Sequence, residues 1–237
     1  MNTQANSNDP KAPSITSRSK GPRTKRGMRS YTALVFAARE VFERDGYIDA
    51  RISDISKAAG MASGSFYTYF ESKEEVLAAV VNAVQEDMLH PHLGTSGQKV
   101  NARESIEKAN REYLLAYQHN ARLMSVFEQV AQVDENFREL RRKRGEAFGK
   151  RNARFIRRLQ EQGDADPNMD PLIAAYALSA MVGRMAYQVF VIGESIAFEE
   201  LLLILNRLWI NALQINPDAN LTAVDSQETG TEFSAVG

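Results

Sequence analysis

Apolar residues recur every three or four positions along most of this chain, which is the spacing of one buried face of an α-helix. One such stretch runs from Ser30 to about Asp45, and Gly46 follows where the helix is expected to stop. Ser72, with Glu75 three residues later, has the sequence of an N-terminal capping box, so a further helix is predicted to begin there. These patterns predict an all-α protein.

The second half of the chain continues in long helical patterns. The predicted segments are Asn101 to about Asn120, Ala121 to Val133, about Asp134 to Gln162, Leu172 to about Ile192, and Phe198 to Ile215. The last two are apolar nearly all round, and a hairpin of that kind is too hydrophobic to leave its outer side in water. We therefore expect the pair 172–192 and 198–215 to bury a second face.

The segment 134–162 allows two interpretations. Basic residues surround its thin apolar seam: Arg141, Arg142, Lys143, Arg144, Lys150, Arg151, Arg154, Arg157 and Arg158. A nucleic-acid-binding stripe is one interpretation. The favoured one is a long surface helix in which glutamates balance the charge and arginine stems cover apolar neighbours.

The stretch from Arg51 to Phe70 predicts two short helices joined by a tight turn at Gly60. The second helix begins with three small residues, Ser63, Gly64 and Ser65, and it ends in a cluster of aromatic side chains. Small residues let a backbone approach another surface closely. The pattern therefore predicts a helix-turn-helix whose second helix docks its first turn into a major groove of DNA.

The segment from about Met28 to Asp87 resembles the DNA-binding domain of the TetR family of one-component transcriptional repressors. The matching pieces are Ala38-Arg39-Glu40-Val41-Phe42 with Gly46, Ile52-Ser53-Asp54-Ile55, Ala58-Ala59-Gly60, and Gly64-Ser65-Phe66-Tyr67-Thr68-Tyr69-Phe70-Glu71-Ser72-Lys73-Glu74-Glu75-Val76-Leu77. The resemblance covers roughly the first third of the chain. The remainder is similar to the family only in its helical layout.

The resemblance implies a set of DNA contacts. Ser63, Gly64, Ser65 and Phe66 are expected to face the groove, Tyr67 and Tyr69 to bind phosphates, and Arg51 and Lys73 to add backbone contacts. Two positions depart from the family pattern, because Ala62 and Arg51 stand where a capping Ser or Thr is usual. Few long side chains face the bases, so we expect readout through the backbone, DNA shape and contacts of Phe66 with thymine methyl groups.

The resemblance also implies a homodimer, in which the last two helices pair with their copies in a four-helix bundle. Independently, two reading heads must lie about 34 Å apart to read a two-fold operator in double-stranded DNA. The function expected is a repressor released from a palindromic operator by a small-molecule effector. The alternative is a constitutive or architectural DNA-binding protein whose C-terminal half serves only dimerisation.

Charge and composition add a predicted domain layout. The chain has a net charge of −1, yet every charged residue from Lys11 to Arg29 is basic. Residues 1–27 are predicted to be a disordered basic arm whose Lys25 and Arg26 contact DNA, with a solubilising tail as the alternative. Residues 28–88 are the predicted DNA-binding domain, 98–215 the predicted effector-binding and dimerisation domain, and 216–237 a predicted flexible tail.

Composition also narrows the chemistry. The 237 residues include no cysteine, which removes disulfides and thiolate metal sites. His90 and His92 flank a proline and make no preformed metal site. There is no catalytic motif, so no enzyme activity and no cofactor are predicted. We expect no apolar run to approach the roughly 20 residues of a membrane helix. We therefore expect a cytoplasmic protein.

Candidate ligand residues lie among the C-terminal helices. They are Tyr113, Tyr117, Met124, Phe127, Met181, Arg184, Tyr187 and Gln188, and for each an ordinary core position is the alternative. Arg184 stands in an apolar run, and a buried arginine must be paired. Either it forms a salt bridge, with Glu194, Glu199 or Glu128 as candidates, or it is the counter-ion of an acidic effector.

Overall fold

The computed structural model describes residue 22 and residues 24–89 and 101–215. The predicted tail 216–237, most of the predicted arm, and His90 and His92 lie outside these residues. The described part of the chain is built from helices and connecting turns, without strands. The prediction of an all-α fold is therefore confirmed.

Nine α-helices and one π-helical turn follow one another along the described chain. They are α1 (Lys25–Asp49), α2 (Ile52–Ala58), α3 (Ser63–Phe66), α4 (Lys73–Leu89), α5 (Ala102–His119), α6 (Ala121–Val133), α7 (Glu135–Glu161), α8 (Pro171–Tyr187), the π-helical turn (Gln188–Ile192) and α9 (Phe198–Ala212). All five segments predicted in the second half are present within a few residues of their predicted bounds.

Local chemistry sets most helix ends. Asp170 caps α8 by accepting hydrogen bonds from the amides of Leu172 and Ile173, at 2.9 and 2.8 Å. Asn101 caps α5 in the same way. Inside α1 the helical geometry is interrupted at Gly46, whose φ of 75° suits a glycine. The helix break predicted at Gly46 is therefore present.

The start of α1 differs from the sequence prediction. Thr24 is its N-cap, and its hydroxyl oxygen accepts a hydrogen bond from the Gly27 amide at 3.0 Å. Lys25 and Arg26 consequently lie in the first helical turn, where the sequence predicted a disordered arm. The side-chain cap at Thr24 supplies the local reason for the earlier start.

The described chain divides into two compact units. The first includes residues up to Ala83 together with Val126–Glu139, and the second includes Val84–Ser125 and the chain from Leu140 onward. Three helices, α4, α6 and α7, thus contribute to both units. The domain bounds inferred from the sequence, 28–88 and 98–215, stay predictions.

Each unit has its own core. In the first, the largest fully buried side chains come from α1 to α4 and from the α6–α7 segment: Leu34, Phe42, Ile55, Phe66, Phe70, Leu77, Phe127 and Phe137. In the second, Leu114 of α5, Ile156 of α7 and Leu205 of α9 are buried. A hydrogen bond of 2.9 Å between Asn110 and Asn206 joins α5 to α9 in the second unit.

The basic helix α7 has the features of a surface helix. Its apolar seam is buried, including Phe148, Phe155 and Leu159. On the exposed side, Glu146 pairs with Lys150 at 2.5 Å and with Arg142 at 3.2 Å, each one turn away. This arrangement agrees with the favoured interpretation of the segment.

The last two helices leave apolar side chains exposed. Ile173 of α8 is 70% exposed and Leu203 of α9 is 60% exposed. Leu172, Tyr176, Ile204 and Leu208 are also exposed on these helices. The prediction that this hairpin is apolar beyond the face it packs on its own chain is consistent with these exposures.

One helical segment of the described chain corrects the prediction that no apolar run is long enough to span a membrane. Pro171–Ile192 is long and apolar enough to cross a membrane by length and composition, with a mean hydropathy of 1.3. The expectation that no run approaches this length is therefore wrong. The same length and composition also occur in helices that pack against protein, and 22% of this segment is buried within the chain.

Candidate nucleic-acid interface

The segment predicted to read DNA folds as two short helices around a turn. Gly60, with φ of 68°, follows α2 and turns the chain toward α3. Ile55 is fully buried on the inner side of α2, and the Ser56 hydroxyl donates to the Ile52 carbonyl at 2.9 Å. The helix-turn-helix is therefore held from inside, and its outer side is available for contact.

The first turn of α3 is exposed and made of small residues. Ser63, Gly64 and Ser65 all face solvent, and a Cβ added to Gly64 would meet no atom within 4 Å. Ala62 is the N-cap residue and makes no side-chain capping bond. A backbone surface this open can approach a DNA groove closely, as the sequence predicted for these three residues.

The structure corrects the prediction for Phe66. Its side chain is 0% exposed, and its ring packs against Phe70, with 5.6 Å between ring centroids. A contact with thymine methyl groups would require this side chain to leave the core of the first unit. Phe66 therefore anchors α3 and does not face the groove.

The residues that follow Phe66 return to the surface. Tyr67 is 60% exposed, and Tyr69 is half-buried. Thr68, which the sequence reasoning did not select, is exposed between them. Two features of the sequence favour Thr68 as a candidate for contact with DNA: its hydroxyl group and its place between two candidate phosphate-binding tyrosines.

The following four basic residues of the first unit have exposed side chains. Arg51 is the N-cap residue of α2, is exposed and makes no side-chain capping bond. Lys25 and Arg26 are exposed in the first turn of α1. Lys57, exposed in the last turn of α2, is a further cation on this unit that the sequence reasoning did not select. Contacts of these residues with DNA stay predictions.

Lys73 is engaged within its own chain. Its ammonium donates to the main-chain carbonyls of Tyr47, Ala50 and Ile48, at 2.7, 3.0 and 3.3 Å. The neighbouring Glu74 accepts a hydrogen bond from the Tyr47 hydroxyl. These contacts join the end of α1 to the first turn of α4.

The pKa values of Tyr47 and Glu74, which share a hydrogen bond, are both shifted. Burial, and then the nearby Glu74 carboxylate, raise the pKa of the Tyr47 hydroxyl. Burial by itself would raise the pKa of Glu74, but hydrogen bonds from Tyr47, the main chain and Ser72, together with the charge of Lys73, lower it. The pair is thus held as a neutral phenol and a carboxylate.

The start of α4 has half of the predicted capping box. The Ser72 hydroxyl accepts from the Glu75 amide at 3.2 Å, as predicted. The Glu75 carboxylate accepts from the amide of Glu71 at 2.6 Å, one residue before the position that a capping box would use. Both bonds fix the direction in which α4 leaves the helix-turn-helix.

Several predicted ligand residues meet in the second unit. Tyr113 and Tyr117 of α5 have ring centroids 5.9 Å apart, and they extend to Phe148 of α7 and Phe190 of the π-helical turn, at 5.6 and 6.4 Å. The two phenylalanines were not predicted, although they are aromatic residues in apolar stretches. Met181, Tyr187 and Gln188 are half-buried on α8 and the π-helical turn.

Two other predicted ligand residues have different neighbours. Phe127 is fully buried and packs against Phe137 in the first unit, with 6.3 Å between ring centroids. Met124 is buried in the second unit, where its sulfur lies 3.3 Å from a guanidinium nitrogen of Arg144. For Phe127, the core alternative is the better description.

The structure also corrects the expectation for Arg184. Its side chain is exposed, and its guanidinium lies 5.4 Å from the centre of the Tyr187 ring. Glu199, one of its candidate partners, pairs with Arg111 through two hydrogen bonds of 2.7 and 3.0 Å. Since α8 is not covered on this side, the arginine needs no buried partner within its own chain.

Among the residues whose placement is described, no group of three or more metal-ligating side chains comes together. The candidate site is therefore a protein surface with exposed hydroxyls, cations and an open helix end. This chemistry suits contact with a polyanion such as DNA.

Comparisons with known proteins agree with this interpretation. The sequence model of the family described as "Bacterial regulatory proteins, tetR family" matches residues 34–80. The Fatty acid metabolism regulator protein of Bacillus subtilis is 29% identical over 100 residues, which are 41% of this chain and 52% of that protein. The A-factor receptor protein of Streptomyces griseus is 25% identical over 155 residues, 65% of this chain and 53% of that protein.

Solved structures share the fold at low sequence identity. SmeT, the repressor of the Stenotrophomonas maltophilia multidrug efflux pump SmeDEF, is 21% identical with a TM-score of 0.66, covering 80% of this chain and 92% of SmeT. A TetR-family regulator from Mesorhizobium loti is 16% identical with a TM-score of 0.68, covering 80% and 98%. The chain spans about half the length of the two curated relatives described above.

The described fold and its helix-turn-helix are similar to those of DNA-binding regulators of transcription. More narrowly, residues 34–80 match the TetR family of bacterial regulatory proteins, and the described fold resembles solved structures of TetR-family regulators.

Proposed function

We propose that the chain is a homodimeric regulator that binds a two-fold operator in double-stranded DNA and releases it when a small molecule binds the second unit. The observation that carries the proposal is the exposed first turn of α3, where Ser63, Gly64 and Ser65 present backbone and hydroxyl groups. The buried ring of Phe66 fixes this turn to the core of the first unit. DNA as the partner implies a cytoplasmic protein.

Exposed apolar residues on α8 and α9 support the dimer. Ile173 and Tyr176 lie on one face of α8, and Ile204 and Leu208 lie on one face of α9, beside the exposed Leu203. Exposed apolar side chains in this number are costly to leave in water and are typical of an interface. A second copy of the chain is the proposed occupant, since a two-fold operator requires two reading heads.

The aromatic series in the second unit supports a small-molecule effector. Tyr117, which is buried, and Tyr113, which is half-buried, offer apolar surface and hydroxyl groups on α5. By their names, one relative is a regulator of fatty acid metabolism and another is a receptor for A-factor. An effector shifts the protein away from DNA only if it binds the DNA-free state better.

The DNA-binding proposal is tested by selecting bound duplexes from a random pool, followed by footprinting. The expected result is a discrete two-fold protected site. Gly64→Leu should abolish this binding, because the added side chain has open space in the fold but occupies the face proposed for DNA. Gly145→Leu is the matched control, since a Cβ there also meets no atom within 4 Å, on α7.

Uniform coating of DNA without a discrete site would favour the architectural alternative. Binding by Gly64→Leu with an unchanged affinity would contradict the proposed reading surface.

The dimer is tested by light scattering coupled to gel filtration. The wild-type protein should elute at twice the chain mass of 26.5 kDa. The double variant Ile173→Asp, Leu203→Asp should elute as a monomer, because it places charge on both exposed faces. Leu115→Asp is the control, because Leu115 is an exposed apolar residue of α5. A dimer that survives in the double variant would place the interface elsewhere.

The effector is sought by a thermal-shift screen with long-chain acyl-CoAs, sterols and planar aromatic compounds. A compound that raises the melting temperature should also weaken operator binding in the same concentration range. Compounds that stabilise the protein and leave operator affinity unchanged would argue against release by an effector.

A further inference from the structure

Lys73 joins the first turn of α4 to the last residues of α1 and to the residue that leads into α2. Its ammonium donates to the carbonyls of Tyr47, Ile48 and Ala50 at 2.7, 3.3 and 3.0 Å. A lysine ammonium has three N–H donors and no acceptor. All three donors are therefore occupied by main-chain oxygens of one short segment.

Tyr47 is held at both ends by neighbouring residues of α4. Lys73 binds its carbonyl and lies 4.4 Å from the centre of its ring, while Glu74 accepts from its hydroxyl. The ring also stacks on Phe42 of α1, with 6.0 Å between centroids. We call this group, Tyr47 with Lys73 and Glu74, the Tyr47 clamp.

The clamp lies where the chain must change direction. Gly46 breaks α1 immediately before Tyr47, and Ala50 immediately precedes Arg51, the N-cap residue of α2. The last carbonyls of a helix have no helical partner and need another donor. Lys73 supplies that donor, so its position fixes the path of the chain into α2.

We propose that Lys73 and Glu74 are positioning residues of the DNA-reading surface, and that Lys73 does not contact the DNA backbone. They set where α2 begins and hence where Arg51 and α3 are presented. This inference rests on the proposed DNA-binding function. It replaces the phosphate contact that the family resemblance implied for Lys73.

A phosphate contact would require the clamp to open. Lys73 is half-buried, and it would have to exchange its carbonyl partners for a phosphate oxygen. The carbonyl of Tyr47 would then lose a charge-assisted hydrogen bond. The exposed cations Arg51 and Lys57 reach solvent without any such exchange.

The salt dependence of operator binding distinguishes the two roles. A lysine that neutralises one phosphate contributes about 0.9 to the slope of log affinity against log salt concentration. Lys73→Met should therefore lower affinity about tenfold or more at every salt concentration, at a temperature where the variant is folded, and leave the slope unchanged. Lys108→Met, which removes an exposed lysine of α5, is the control for the loss of a lysine side chain.

A slope that falls by about one unit in Lys73→Met, or an affinity equal to that of the wild type, would overturn the proposal. Should this variant fail to fold, Tyr47→Phe and Glu74→Ala test the positioning role, because each removes one end of a single hydrogen bond and leaves Lys73 in place. Each variant should lower operator affinity without changing the salt slope. The double variant should bind only slightly more weakly than either single variant.

The clamp is also tested without DNA. Free energies of unfolding for Tyr47→Phe, Glu74→Ala and the double variant form a double-mutant cycle. Strong non-additivity is expected, and additive losses would overturn the clamp. If the wild-type protein binds no operator, the proposed function fails, while this cycle still reports on the clamp.

Discussion

At Phe66, one aromatic side chain decides how α3 is attached to the first unit. Phe66 and Phe70 are four residues apart, so they lie on one side of a helical turn, and both are buried. The exposed side is left to Ser63, Gly64 and Tyr67. The side of α3 that is proposed to face DNA is therefore set by the side that faces the core.

Phe66→Ala is expected to destabilise the protein without redirecting base preference. Removing a fully buried aromatic side chain costs about 3–5 kcal/mol, since it leaves a cavity. Urea unfolding should show this loss in the first unit, while the folded fraction keeps the wild-type operator sequence. A changed operator preference with wild-type stability would restore Phe66 as a groove residue.

Arg51 offers the opposite case, an exposed side chain without a structural partner. As the N-cap residue of α2 it makes no side-chain capping bond, so its guanidinium is available for a phosphate. Arg51→Ala should reduce the salt slope of operator binding by about one unit and leave the melting temperature nearly unchanged. An unchanged slope would contradict the contact.

At the scale of elements, α7 and α8 approach closely at Gly149. A Cβ added there would lie 2.5 Å from the ring of Tyr176, and a hydrogen bond of 2.8 Å between Asn152 and Ser179 joins the same two helices. The missing side chain at Gly149 therefore lets Tyr176 lie against α7. Tyr176 also belongs to the exposed face proposed for dimerisation.

Gly149→Ala should push Tyr176 out of its place and weaken the dimer. The expected result is a higher dimer dissociation constant in sedimentation equilibrium, although alanine is the better helix former. In a Tyr176→Ala background, Gly149→Ala should change the dissociation constant much less, because the ring that the added methyl group would contact is absent. Equal effects of Gly149→Ala in both backgrounds would show that the contact does not matter for dimerisation.

The join between α1 and α4 predicts a pH dependence. The pKa of Glu74 is lowered from its ordinary value of 4.5, so its carboxylate adds stability above that pH and loses it as the pH falls through the lowered pKa. The difference in unfolding free energy between the wild type and Glu74→Ala should therefore shrink below about pH 4.5. Urea unfolding from pH 7 to pH 3 measures it, and a constant difference would contradict the assignment.

At the scale of the whole molecule, the exposed apolar faces of α8 and α9 imply that stability depends on association. Folding coupled to dimer formation makes the melting temperature rise with protein concentration. Wild-type protein should show this rise over a hundredfold concentration range, and the variant with Ile173→Asp and Leu203→Asp should not. A concentration-independent wild-type melting temperature would argue against a dimer stabilised by these faces.

Helix positions and the helix-turn-helix were predictable because their causes are local. Gly46 and Gly60 break or turn the chain through their own backbone freedom, and Ser72 caps the helix that it precedes. The start of α1 at Lys25 was not predicted, because Thr24 caps the helix in a stretch that has no apolar periodicity. Periodicity also gave the apolar character of α8 and α9, since a helical face can be counted from the sequence.

Side-chain partners far apart in the sequence were not predictable in the same way. Arg184 was expected to be buried because its neighbours are apolar, yet it lies on the uncovered side of α8. Which side of an apolar helix is covered depends on other helices. The aromatic series from Tyr113 to Phe190 likewise joins residues of different helices that only packing brings together.

The sequence by itself determined an all-α chain with an N-terminal helix-turn-helix and an apolar C-terminal hairpin, because spacing, caps and glycines act within a few residues. Only the tertiary structure decided that Phe66 is a core residue and that Lys73 binds carbonyls 23 to 26 positions earlier in the chain. Burial and long-range hydrogen bonds depend on which elements meet, and that follows from the packing of the whole fold.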